Sequence, residues 1–169
     1  MEDQEKITVL CVGPKGSGKT TLLKRLQEED GIDYTYSPVP TIGTNLYDIH
    51  YLNKNGKKQI LTIREVGGEM VQLWYSYLDG IEKVIFVVDT SNLCQISSAA
   101  VMLYTLLAEP KLRQAKMRNE ALLMLQFTRL CSEQANTLIL LEASPLTGVG
   151  LDSLRQFLIE KRKSSCVKK

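Results

Sequence analysis

The chain has 169 residues, 44% of them hydrophobic and 24% charged, which suits one domain with a buried core and excludes a disordered or fibrous chain. Lys and Arg number 21 against 19 Asp and Glu, and the net charge of +2 does not support bulk nucleic-acid binding. Five basic residues and no acid fall in 161–169, so a nearly neutral body of 16 basic and 19 acidic residues precedes a short basic tail.

The first residues, Met1-Glu2-Asp3-Gln4-Glu5, are acidic where a secretory signal is positive, and no such signal is expected. The uncharged stretch 90–108 contains Asn92, Gln95, Ser97, Ser98 and Thr105, too polar for a membrane span and suited to a buried helix. Cys11, Cys94, Cys131 and Cys166 show no paired spacing and read as reduced thiols. A cytoplasmic protein is the expectation.

In chain order, residues 7–12 form an apolar run that ends in a glycine-rich loop, the pattern of a buried central strand. Leu22, Leu23 and Leu26 predict a helix over 20–29. Residues 30–45 carry two prolines and two glycines and predict a loop. Residues 46–52 and 59–64 predict a hairpin around Asn53-Lys54-Asn55-Gly56, whose Asn-Gly pair favours a tight turn. Residues 84–88 are β-branched and apolar, a second buried strand. A helix over 96–108 follows, stopped by Pro110, and the absence of Gly and Pro from 111–136 predicts another helix there. Residues 138–141 read as a strand, and Leu151, Leu154, Phe157 and Leu158 as the apolar face of a last helix. This order predicts an α/β fold, a mostly parallel sheet with helices on both faces.

Gly13-Pro14-Lys15-Gly16-Ser17-Gly18-Lys19-Thr20 fits G-x-x-x-x-G-K-[ST], the phosphate-binding loop, and lies between a predicted strand and a predicted helix as that motif requires. Its glycines allow a compact loop whose N–H groups face phosphate oxygens, at the positive end of the following helix. Lys19 is placed to reach the β- and γ-phosphates, and the Thr20 hydroxyl to ligate Mg²⁺. Thr21 is a further candidate contact.

Downstream, Pro40-Thr41-Ile42-Gly43-Thr44-Asn45, then Val66-Gly67-Gly68 at a strand end, Leu73-Trp74 and Phe86-Val87-Val88-Asp89 together resemble the ADP-ribosylation-factor (Arf) family of small GTPases. The resemblance covers 7–89 well and 137–160 more loosely. It implies a P-loop Ras-like fold over 1–163, with 164–169 as a basic tail, and GTP or GDP with Mg²⁺ as ligands. It also implies that Thr41 closes over Mg²⁺ and the γ-phosphate, and that Gly67 and Gly68 are the glycines of switch II, the second bonding the γ-phosphate through its N–H. Ser144 then stands in the loop that packs over guanine. Effector proteins at the switch regions, an exchange factor and a GTPase-activating protein are the implied partners, with no nucleic acid and a monomeric chain.

Three departures accompany the matches. Glu65 stands where the family has an Asp that orients Mg²⁺-bound water; the carboxylate is kept with one more methylene, and Glu65 joins Thr20 and Thr41 as a metal candidate. Glu69 stands where the family has the glutamine that positions the attacking water, and its charge beside the γ-phosphate predicts slow hydrolysis. Glu69 as a general base is the alternative. Finally, the guanine-reading N-K-x-D motif does not occur between Asp89 and Ser144. No strand is evident near Gln114-Ala115-Lys116-Met117, so one central strand of the sheet is expected to be missing. Either 138–141 slides into its place or Leu122-Leu123-Met124-Leu125 is recruited. A shortened splice form, a gene-model artefact and adaptation all account for the gap.

The alternative function is therefore a pseudo-GTPase or shortened form with weak guanine binding that serves as an interaction module. The tail, even with Cys166 acylated, and the absence of Gly at residue 2 predict membrane contact that is weak and transient at most. His50 reads as structural. Trp74, Tyr75 and Tyr77 suggest an aromatic patch at the switch region, with at least one ring in the core.

Overall fold

The computed structural model describes residues 9–29, 32–52, 56–109, 138–160 and the backbone of 119–121. Strand β1 (Val9–Val12) leads through the glycine loop into helix α1 (Lys19–Gln27). Strands β2 (Thr44–Leu52) and β3 (Lys58–Val66) form the hairpin, followed by a short helix α2 (Val71–Trp74) and a 3₁₀ turn at Tyr75–Tyr77. Then come β4 (Lys83–Phe86), α3 (Leu93–Ala108), β5 (Asn119–Ala121), β6 (Leu138–Ile139) and α4 (Leu151–Ile159).

The strands order as β2-β3-β1-β4-β5-β6, with β2 antiparallel to β3 and every other pairing parallel. Strand alternation explains why both faces carry helices. Leu10 and Val12 of β1, with Val84 and Phe86 of β4, face Ile96, Ala99 and Leu103 of α3. Val9, Cys11 and Ile85 point the other way, onto Leu22, Leu23 and Leu26 of α1 and Leu154 and Phe157 of α4. Lys83 fixes the end of α4: its ammonium donates to the carbonyls of Phe157, Leu158 and Glu160 at 2.5, 2.7 and 2.9 Å, supplying donors that the last helical turn lacks.

The helix expected across 111–136 is corrected at Asn119–Ala121, which pairs with Val84–Phe86 on one side and Leu138–Ile139 on the other. The slot expected to lack a strand is thus held by three residues, and the sheet is shortened there. Leu138–Ile139 stays at the edge and does not slide inward. The three-residue ladder satisfies backbone groups of β4 that a gap would orphan. Residues 122–125, the alternative strand for that slot, the Asn53–Asn55 part of the hairpin turn, Cys131 and the tail 161–169 lie outside the described residues. No helix among the described residues is long and apolar enough to cross a membrane. The expected aromatic patch does not include Trp74, which is fully buried and meets Phe86 edge-to-face at 6.1 Å. Tyr77 is half-buried with the Arg64 guanidinium over its ring at 4.3 Å.

Candidate functional site

The carboxyl ends of β1, β3 and β4 converge on one crevice, where open parallel sheets bind ligands. The loop 13–18 leaves β1 and turns directly into α1. Gly13 takes φ 147°, and a Cβ there would lie 2.3 Å from the Val87 carbonyl oxygen, so only glycine lets the loop pass β4 this closely. Lys19 is buried, and its ammonium donates to the Gly13 and Pro14 carbonyls at 3.0 and 2.7 Å. Burial lowers its pKa below the usual lysine range, with Cys11 and Glu65 opposing. The same burial pushes the Cys11 thiol beneath it far up, so this cysteine is an inert core thiol; Cys94 is exposed.

Three segments meet at Glu65. The Thr20 hydroxyl, in the first turn of α1, donates to Glu65 Oε1 at 2.6 Å, and the Thr41 hydroxyl donates to the same oxygen at 3.2 Å. The two hydroxyls stand 3.2 Å apart. Glu65 is 1% exposed, and its second oxygen is buried with no hydrogen-bond partner. Burial, and then the charge of Glu65, raises the pKa of the Tyr47 phenol. An oxygen-only set with one orphaned carboxylate oxygen fits a hard divalent cation. Thus the three predicted metal candidates are brought together from 21 to 45 residues apart. Among the described residues no group of three or more His, Cys, Asp and Glu forms a different metal cluster.

The two predicted switch segments are stitched to each other. Gly67 N–H donates to the Gly43 carbonyl at 2.9 Å, and a Cβ on Gly67 would lie 2.3 Å from the Thr41 carbonyl. Gly68 packs on the phosphate loop so tightly that a Cβ would lie 2.2 Å from the Lys15 nitrogen. Glu69, the candidate catalytic residue, forms an ion pair with Lys15 at 2.6 Å. The cleft between these walls has a volume of about 330 Å³ and is lined by Lys15, Gly16, Gly18, Lys19, Thr20, Thr21, Thr41, Glu65, Gly68 and Glu69, with Pro38, Val39 and Pro40 at its side. The Ser17 hydroxyl is buried in the loop without a partner. Ser144 does not line this cleft; its carbonyl accepts from Gly148 and its N–H donates to the Val149 carbonyl, closing the turn before α4.

Three participants, Gln95, Pro38 and Val39, carry no sequence signal. Gln95 reaches from α3 to donate to the Lys15 carbonyl at 3.2 Å across 80 positions, and Pro38 and Val39, which wall the cleft beside Pro40, read in sequence only as loop.

The model of the ADP-ribosylation factor family matches residues 1–126, three-quarters of the chain. The chain belongs to the ADP-ribosylation factor family. Within it, this Arf-family chain is 41% identical to human (Homo sapiens) ADP-ribosylation factor-like protein 16 over 112 residues, 63% of this chain and 54% of that protein. It therefore spans about half the length of that relative. Among solved structures, the Arf-family fold is matched by the Arl6 (BBS3) small GTPase of Trypanosoma brucei with bound nucleotide analogue GppNp. That match has a TM-score of 0.65 and 19% identity, and covers 90% of this chain and 94% of that one.

Proposed function

We propose that this Arf-family chain binds GTP and GDP with Mg²⁺ and acts as a nucleotide-dependent switch for effector proteins. The observation that carries the reading is the convergence of Thr20, Thr41 and Glu65 beside the phosphate loop. Lys19 and the N–H groups of 13–20 hold the phosphates, and the two hydroxyls with Glu65 hold Mg²⁺. When bound, Mg²⁺ neutralises phosphate charge. Gly68 reports the terminal phosphate because its backbone already rests against the loop that receives it. Gly67 and Thr41 move as one, since the Gly67 backbone packs on the Thr41 carbonyl. Loss of the terminal phosphate therefore releases both switch segments together. Glu69, drawn to Lys15, places a carboxylate at the mouth of the cleft where an amide would orient the attacking water, so hydrolysis is slow and single-turnover hydrolysis by Glu69→Gln is faster than wild type.

The second reading is an interaction module with little base selectivity. It is favoured by the absence of N-K-x-D between Asp89 and Ser144 and by the reduction of β5 to three residues. Titration of the purified chain with fluorescent GTP and GDP in Mg²⁺, competed by unlabelled GTP or ATP, separates the two. Displacement by GTP far below the ATP concentration needed supports the switch. Equal displacement by both leaves a phosphate loop on an interaction module, and no binding at all overturns the nucleotide reading.

A further inference from the structure

We propose that Lys15 sets the preference for a third phosphate: its ammonium neutralises Glu69 at the rim of the cleft and is shared with the terminal phosphate. The inference rests on the phosphate-binding reading of the loop.

Three elements converge on this one residue. Glu69 of the segment after β3 holds its ammonium at 2.6 Å, Gln95 of α3 holds its carbonyl at 3.2 Å, and Gly68 packs against its backbone nitrogen. The Lys15 backbone is therefore fixed from two sides, and the ion pair turns its side chain toward Glu69. Lys19 is committed to the loop floor through the Gly13 and Pro14 carbonyls, while Lys15 is half-exposed at the rim. An ammonium has three donors, and Glu69 takes one of them.

The electrostatics follow from that placement. Lys15 and Glu69 both line the cleft that Lys19, Thr20 and Glu65 line. A terminal phosphate entering the cleft meets the Glu69 carboxylate as a like charge. Lys15 between them converts that repulsion into a shared contact. A diphosphate is shorter by the group that reaches the rim, so it draws less on Lys15. The exposed pair itself adds little to folding stability, so removing it leaves the fold intact.

The test compares wild type, Lys15→Ala, Glu69→Gln and the double variant, each checked for an unchanged thermal midpoint. The probes are Mg²⁺-GTP, Mg²⁺-GDP, and inorganic tripolyphosphate and pyrophosphate with Mg²⁺. Lys15→Ala is expected to weaken GTP about tenfold and GDP less than twofold, and Glu69→Gln in the same chain to restore most of the loss. Tripolyphosphate and pyrophosphate should show the same contrast. Equal losses for the triphosphate and the diphosphate, or no recovery in the double variant, overturn the proposal. Should the guanine nucleotides fail to bind wild type while tripolyphosphate still distinguishes Lys15→Ala, the nucleotide reading falls and the role of Lys15 stands. Failure of wild type to bind any of the four probes overturns both.

Discussion

Thr20 and Glu65, 45 positions apart, share a hydroxyl-to-carboxylate hydrogen bond of 2.6 Å that ties the first turn of α1 to the end of β3. The bond uses one oxygen of a fully buried carboxylate and leaves the other without a partner. Burying a carboxylate with an unmet acceptor costs on the order of 1–3 kcal/mol, so the arrangement is kept at the expense of folding stability. It is the kind of local conflict that marks a ligand site.

Glu65→Gln tests this directly. The amide keeps the volume but loses the charge, so the Mg²⁺ concentration needed for half-maximal retention of fluorescent nucleotide should rise at least about tenfold. Chelation of Mg²⁺ should release nucleotide from wild type faster and change the variant little. An unchanged Mg²⁺ dependence removes Glu65 from the proposed metal site.

Backbone geometry separates two glycines that look alike in sequence. Gly18 and Gly150 both precede a helix with φ near +80°, but a Cβ at Gly18 meets nothing within 4 Å, whereas at Gly150 it lies 1.9 Å from the Glu142 carbonyl. Gly18→Ala should cost about 1 kcal/mol of stability from the left-handed conformation alone. Gly150→Ala adds a backbone clash and should cost at least about 2 kcal/mol more. Urea unfolding of both variants gives the difference, and equal losses refute the clash.

Much of this site was legible because its signals are local. The phosphate loop is eight consecutive residues, and the apolar runs at β1 and β4 announce strands without reference to the rest of the fold. β5 was not legible: Asn119-Glu120-Ala121 has no β-branched or aromatic residue, and the ladders with β4 and β6 hold it extended. Trp74 sits in a run with Tyr75 and Tyr77 where helical phase alone did not say which ring turns inward; the packing on Phe86 decides it. Gln95 and the Lys15–Glu69 pair meet across 80 and 54 positions, distances at which no sequence spacing constrains a contact.

Trp74 supplies a reporter for the proposed switch. It is the single tryptophan, fully buried, and its indole N–H donates to the Gly67 carbonyl at 3.4 Å. Any motion of Gly67 on binding a triphosphate changes that contact, so intrinsic emission should differ between the GTP- and GDP-loaded protein. Trp74→Phe keeps much of the packing and should cost about 2 kcal/mol, from the lost bond and the smaller ring. Identical emission spectra in the two loaded states would falsify coupling of Gly67 to the terminal phosphate.

Cys11 gives the alkaline limb of the stability curve. Burial raises its folded-state pKa far above 9.0, so in the folded protein the thiol keeps its proton where the unfolded chain releases it. Above pH 9 the folded state then binds more protons than the unfolded state, and stability falls as pH rises, by at most about 1.4 kcal/mol per unit from this group. Tyr47, also raised from 10.0, adds to the fall above pH 10, while Lys19, lowered from 10.5 by burial, opposes it up to that pH. Cys11→Ala is less stable at neutral pH because it leaves a small cavity in the α1–α4 face of the core, yet its stability should decline less steeply from pH 9 to pH 10. Urea unfolding of both proteins at pH 8, 9 and 10 measures the two slopes. Parallel curves would show that the thiol ionises equally in both states and is not sealed beneath the phosphate loop.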